Sequence, residues 1–260
     1  MRGLVTLTTD FGTRDPYVGA LKGTLLKTVA DTHIVDVSHE IPPQDVLSGA
    51  YLLRHAAMEF PLDTVHLAVV DPGVGSRRRP LVVDAGGHRW VGPDNGLFSH
   101  ALSLPYARAF EITHPDLQRQ PMSATFHGRD LFAPTAARLA AGFPVEDVGP
   151  GVDDAYRLPS MCASVNSDRI EGAIIYVDHF GNAISCITSD DLLSLGSGEL
   201  RVRCGSTQVC IVSTYADVAA SQSAALLGSG DLLEVVVRDG SAAAKLGLKR
   251  EDAIIVERHP

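Results

Sequence analysis

Basic residues are in short supply in this 260-residue chain: 22 Lys and Arg stand against 31 Asp and Glu, a formal charge of −9. No basic stripe is available to neutralise a phosphate backbone, so nucleic-acid binding is disfavoured and a small-molecule ligand is expected. Cysteine is also sparse. Cys162, Cys186, Cys204 and Cys210 lack CxxC spacing and a neighbouring histidine pair, so they are read as reduced, mostly buried thiols and not as zinc ligands or a disulfide framework. Long hydrophobic runs are missing: none approaches the roughly 18 residues of a membrane span. The start, MRGLVTLTTDFGTRD, reaches an acidic turn after a few apolar residues, without the apolar region or cleavage site of a signal peptide. A cytoplasmic location is the expectation.

Several chemical signatures are absent as well. HExxH, GxSxG and GxxxxGK[ST] do not occur, and the turn Gly73-Val74-Gly75 lacks the third glycine of a dinucleotide fingerprint. Metalloprotease, serine-hydrolase, NTP and nicotinamide readings are therefore disfavoured, and neither a metal site nor a cofactor is expected.

What is present is an ordinary globular composition, 45% hydrophobic and 20% charged, long enough for one large domain or two smaller ones. Up to about residue 150, β-rich runs alternate with helical stretches, the pattern of βαβ units around a mostly parallel sheet. Strands are expected at Leu4 to Thr9, Thr32 to Val37, Thr64 to Val70, 80 to 84 and 107 to 112. Helices are expected over 16 to 29, over 46 to 60 with Asp45 as N-cap, and from Asp130 or Pro134 through LFAPTAARLAA. VGPDNG at 91 to 96 reads as a turn, and GPGVDDAYRLPS at 149 to 160 as a linker. After it come six strand signals, RIEGAIIYVD, NAISCI, LRVRC, QVCIV, LLEVVV and AIIVE, which suggest a compact antiparallel barrel or sandwich. The Ala/Ser run at 218 to 225 reads as a short helix or loop. The expected organisation is an N-terminal α/β domain over 1–155 and a C-terminal β domain over 161–260.

In open α/β sheets ligands bind outside the carboxyl ends of the strands. Two such ends carry an acid, Asp10 and Asp71, although Asp before Gly or Pro is also common in plain turns. The run Ser76-Arg77-Arg78-Arg79 is by default a solvated surface, from which one arginine could turn inward to Asp71. His127, in Phe126-His127-Gly128-Arg129-Asp130, precedes a helix start that favours anions; taken alone it is more often structural than catalytic. Asp178-His179-Phe180-Gly181-Asn182 is either a β-turn or an acid and amide that hold a polar substrate group.

Taken together, TTDFGTRDPYVGALKG, VVDPGVGSRRR, VGPDNGLF, TFHGRDLFAP, VDHFGNAI and GSGDLLEVVV, in this order, resemble the S-adenosyl-L-methionine hydroxide adenosyltransferase family, which is related to fluorinating and chlorinating enzymes acting on the same substrate. The resemblance implies an N-terminal Rossmann-like α/β domain, a C-terminal β-barrel domain and a homotrimer with active sites between neighbouring subunits. It also implies that water or hydroxide attacks C5′ of the substrate ribose, releasing adenosine and L-methionine.

By that resemblance Asp71, Arg78 and His127 bind and activate the water, and Asp10 is the ribose-binding acid. Asp15, Asp178, Phe180 and Asn182 match positions near the polar ends of the substrate, and Ser229, Glu234 and the backbone near Val237 match C-terminal contacts. Gln44, after Pro42-Pro43, stands where the fluorinating relative has a stacking tryptophan. Ser185-Cys186 and the turn Gly228-Ser229-Gly230-Asp231 depart from the common family pattern. A desolvated water beside Arg78 and His127 would have its hydroxide form favoured by positive charge. Two rivals are a halide-using synthase, against which the anionic Asp71 speaks because the halogenating relatives carry an uncharged residue there, and a nucleoside-binding protein without turnover.

Overall fold

The computed structural model describes residues 3–159, 162–196 and 198–258, and the chain divides after Leu158 into two compact units. The first is a mixed α/β layer structure. Its six strands are β1 (Leu4–Thr9), β2 (His33–Ser38), β3 (Val65–Val69), β4 (Pro80–Ala85), β5 (His88–Pro93) and β6 (Arg108–Glu111). They lie in the order β2-β1-β3-β5-β4-β6. The pairs β1/β2, β1/β3 and β3/β5 are parallel, whereas β4 runs antiparallel to both β5 and β6.

Why this sheet is covered on both faces is visible in β3, every residue of which is buried. Successive side chains of a strand point to opposite faces. Val65, Leu67 and Val69 join a core with Leu21 and Leu25 of α1 (Tyr17–Thr28) and Ala133, Ala136 and Ala137 of α4 (Ala133–Ala140). Ala68 and Val70 join the opposite core, with Leu53 and Ala57 of α2 (Val46–Ala57) and Ala101 and Leu102 of α3 (Ser99–Ser103). The start of α2 is set by Asp45, whose carboxylate accepts from the Ser48 N–H at 3.2 Å, one of the four donors a helix leaves unpaired at its N-terminus.

One expectation for this unit needs correction. Residues 91 to 93 are not turn but the end of β5, all three paired with β4 and Val91 also with β3. The stretch 149 to 160, read as the linker, contains the boundary between the units, and its earlier part is tied to the first unit: Glu111 N–H donates to Pro150 O, Val152 N–H to Ala109 O, and Tyr156 N–H to Asp94. Its lack of periodicity reflects backbone pairing along the β6 edge.

The second unit is a nearly closed antiparallel β-barrel-like sheet. Its strands are β7 (Ser164–Val165), β8 (Arg169–Val177), β9 (Ala183–Thr188), β10 (Leu200–Cys204), β11 (Thr207–Cys210), β12 (Ser223–Leu227), β13 (Leu232–Val237) and β14 (Ala253–Arg258), with short helices α5 (Ser189–Ser194) and α6 (Ala242–Leu246). The order is β11-β10-β14-β8-β9-β13-β12, with β7 paired to β8. The two ends meet where Val212 N–H donates to Ala225 O at 2.8 Å, beside the bridge between Ile211 and Ala225. The expectation of a helix or loop over 218 to 225 holds for 218 to 222, which is irregular, and fails from Ser223 on, where β12 begins. Its Ala and Ser residues have weak β preference, and their pairing with β13 decides the outcome. Cys186 and Cys204 are buried, but Cys162 is exposed. No helix among the described residues is long and apolar enough to cross a membrane.

Candidate active site

In the first unit the chain order reverses at β1: β2 is laid down on one side of it and β3 on the other. The carboxyl ends of β1 and β3 therefore flank a switch point, where a crevice is expected. Asp10 follows β1 and Asp71 follows β3 within two residues. Both line a cavity of about 460 Å³ together with Phe11, Tyr17, Val74, Phe126, His127 and Arg129.

Asp71 is held by the inward arginine of the basic run. Arg78 Nε donates to Oδ1 and Oδ2 at 3.0 Å each, and Nη2 donates to Oδ2 at 2.5 Å. The two side chains are 9% and 5% exposed, so this is a desolvated pair, not a surface contact. Arg78 Nη2 also lies 2.8 Å from His127 Nδ1, and the guanidinium covers the Phe132 ring at 5.2 Å. Arginine has no acceptor and stays protonated, so Nδ1 must be the acceptor and the imidazole proton is assigned to Nε2. Burial, then the charge of Arg78, pushes the His127 pKa down, against smaller opposing effects of Asp71 and Asp130. His127 is thus a neutral donor in the resting site. The expectation that it shares positive charge with Arg78 is replaced by a division of labour: Arg78 carries the charge and His127 the directed N–H. The neighbours of Arg78 serve otherwise, Arg77 being exposed while Arg79 pairs with Asp94 and Asp154.

Asp10 Oδ2 accepts from the Gln44 backbone N–H at 2.8 Å. Gln44 has φ 67, a left-handed conformation uncommon for a residue with a side chain, and this turn aims its amide at Asp10. Burial raises the Asp10 pKa, partly offset by the Gln44 bond, with a further small upward push from Asp71. Gln44 itself is exposed, as is Asp15, and neither side chain lines the cavity.

Of the remaining expected residues, Asp178, Asn182 and Glu234 come together in the second unit. Asp178 accepts from the Asn182 backbone at 2.8 Å and from Asn182 Nδ2 at 2.9 Å. Gly181 at φ 82 makes this turn possible, and a Cβ there would fall 2.0 Å from Ser241 Oγ. Glu234, on β13, has its pKa raised by burial and then by Asp178. Phe180 and Ser229 are exposed and Val237 is buried. Tyr215 was not singled out by sequence, yet its hydroxyl lies 3.4 Å from Asn182 Nδ2. Burial, Glu234 and Asp178 all raise its pKa. The aromatic wall of Phe11, Tyr17 and Phe126, with ring centroids 5.5 to 6.1 Å apart, was likewise not selected, although two of the three stand beside Asp10 and His127. Among the described residues no group of three or more His, Cys, Asp or Glu is placed to hold a metal ion.

Comparison with known proteins follows the same division. Models of the SAM hydroxide adenosyltransferase N-terminal and C-terminal domains match residues 5–149 and 172–255. Proteins named (R)-S-adenosyl-L-methionine hydrolase are 41% identical in Salinispora tropica, over 97% of both chains, and 42% identical in Thermus thermophilus, over 92% of this chain and 94% of that one. A fluorinase from Actinopolyspora mzabensis is more distant, at 28% identity over 76% of this chain and 75% of its own. The crystal structure of an uncharacterized conserved protein from Thermotoga maritima superposes with a TM-score of 0.93 at 32% identity, over 98% of this chain and 100% of that one.

Proposed function

Because the chain belongs to the SAM hydroxide adenosyltransferase family, we propose that it is a cytoplasmic, homotrimeric hydrolase that converts S-adenosyl-L-methionine and water to adenosine and L-methionine. The observation that carries this reading is the hydrogen-bonded chain Asp71, Arg78, His127, whose two ends line the switch-point cavity. The position of that cavity between β1 and β3 also supports a Rossmann-like description of the first unit.

The chemistry follows from the charges. A sulfonium leaves as a neutral thioether and needs no general acid, so the task is to present an oxygen nucleophile in line with C5′. A water in the cavity can donate to Asp71 and accept from the Nε2–H of His127, while the Arg78 charge favours the developing hydroxide. Asp71 takes up the proton as the O–C5′ bond forms and the C5′–S bond breaks. Asp10, with one oxygen fixed by Gln44, has the other carboxylate oxygen available for the ribose hydroxyls. Asp178, Asn182 and Glu234 suit the ammonium of the methionyl end, and in the proposed trimer they reach it from a neighbouring copy. The proposed reaction uses no cofactor.

A halide nucleophile is the alternative. It would need neutral donors in a dry pocket, and the Asp71 carboxylate repels an anion there. The test is incubation with S-adenosyl-L-methionine in ¹⁸O-water containing chloride or fluoride. Adenosine labelled at the 5′-hydroxyl is expected. A 5′-halo-5′-deoxyadenosine would establish the halide reading, label in methionine would rule out attack at C5′, and binding without turnover would reduce the protein to a binder.

A further inference from the structure

Asp130 has a side chain with no exposure to solvent, lies outside the cavity lining, and is not used by the chemistry above. Its Oδ1 accepts from Arg129 Nε at 2.7 Å, and its Oδ2 accepts from Arg129 Nη2 at 2.8 Å and from the Ser123 backbone at 2.9 Å. Arg119 Nη1 stands 3.5 Å from Oδ1. The Asp130 backbone adds two ties, its C=O accepting from Arg119 N–H and its N–H donating to Phe126 O. One residue thus gathers both ends of the 119–130 segment, which supplies Ser123, Thr125, Phe126, His127 and Arg129 to the cavity wall. The Arg129 guanidinium so fixed lies 5.0 Å over the Phe126 ring, and the His127 side chain makes no capping bond to the turn that follows it.

We propose that Asp130 is the positioning residue of this site, holding the 123–129 wall so that His127 keeps its register on Arg78. A buried ion pair is a poor source of net stability, because an apolar group of equal volume often serves a core as well. What the carboxylate supplies that an apolar group would not is a fixed place for Arg129 and for the Ser123 amide. The negative charge of Asp130 also reaches the imidazole. The charged groups that face His127 are Arg78, which lowers its pKa, and Asp71 and Asp130, which raise it, with Asp10 and Arg129 lining the same cavity.

The kinetic part rests on the hydrolase reading, so the test pairs turnover with a measurement that does not need it. In Asp130→Asn, kcat for adenosine release should fall by about tenfold or more while KM changes by less than about threefold, because a misplaced group near the chemistry acts on kcat. The His127 imidazole, followed by NMR and assigned through its absence in His127→Gln, should titrate at lower pH than in the parent. Arg129→Gln, which removes the half-exposed partner of the fork, should show the same kcat-weighted loss in a folded protein and decides the matter if Asp130→Asn does not fold. Unchanged kcat overturns the proposal, and so does a fall in kcat with an unshifted His127 titration, the mark of a merely structural acid. If the parent protein itself forms no adenosine, the hydrolase reading fails, and the His127 titration still judges Asp130.

Discussion

At the scale of single residues, the site works by assigning different jobs to groups that share hydrogen bonds. Arg78 cannot be replaced by lysine without losing one of its two partners, since a single ammonium lacks the planar fork that serves Asp71 and His127 together. Asp71→Asn, Arg78→Lys and His127→Ala should each lower kcat by about 10² to 10⁴, the usual worth of a placed acid-base or charge-stabilising group; steady-state adenosine release measures it, and a loss below tenfold would remove that residue from the mechanism. Since the His127 pKa is depressed and the neutral ring is the one that accepts from Arg78, kcat/KM should be flat through neutral pH and decline only below about 6.5, the ordinary histidine value. The same sign governs stability at His66, which is fully buried, bonded to Thr6 at 2.8 Å, and pushed by burial to a pKa of about 3. The unfolded chain binds a proton there below about 6.5 and the folded one does not, so folding stability contributed by neutral His66 is complete above 6.5 and drains away as pH falls toward 3, by about 2 kcal/mol at pH 5. Denaturant midpoints at pH 7 and pH 5 should show this loss in the parent and less of it in His66→Asn. Asp10 and Asp71 were legible in the sequence because they follow strand ends beside turn signals, whereas Arg78 stands out of its basic run only through the family resemblance. Tyr17 and Tyr215 were not legible, because an aromatic in a helix or beside a Thr-capped turn carries no mark of the cavity or cluster it serves.

Elements were legible where local pattern and final environment agree. Strands β1, β10 and β13 occupy the residues their β-rich runs indicate, and the Asp45 cap places the start of α2. Of the three strands without a sequence signal, β7 is only two residues long, and β5 and β12 were obscured for different reasons. In β5 the turn-forming Gly92-Pro93 masks pairing, and Gly92 is needed because a Cβ there would come 2.2 Å from Ala68 O of the adjacent strand; in β12 small residues suit a tight barrel closure that only tertiary contact reveals. The turn between β8 and β9 combines both lessons, since Gly181 is at once a turn residue and a packing requirement against Ser241. Gly181→Ala should therefore raise KM for the substrate far more than it alters kcat, by disturbing Asp178 and Asn182, and should lower thermal stability by about 1 kcal/mol or more. A double variant, Gly181→Ala with Ser241→Gly, should recover part of the stability by relieving the contact but not the strain of the positive φ. Full recovery would show that the backbone conformation at this turn costs nothing.

At the scale of the whole molecule, the residues assigned to water activation and ribose binding all precede Leu158 and those assigned to the methionyl end all follow it. If each active site of the proposed trimer takes its first group from one copy and its second from a neighbour, two inactive variants must complement each other. Asp10→Ala leaves the second group intact and Asn182→Ala leaves the first intact. A site is whole only where an Asn182→Ala copy supplies Asp10 and an Asp10→Ala copy supplies Asn182. In a cyclic trimer assembled at random from an equal mixture, about a quarter of all sites meet that condition, one in every mixed trimer and none in a pure one. Co-refolded mixtures should therefore show about a quarter of parental turnover, falling toward zero as either variant is put in large excess. A site built within a single chain predicts no recovery at any ratio, because every chain in the mixture carries a defect. Mixed species would be verified by differential tagging, so that inactivity of proven mixed oligomers decides for the single-chain site, and sedimentation of the parent as a monomer would decide the same way without any kinetics.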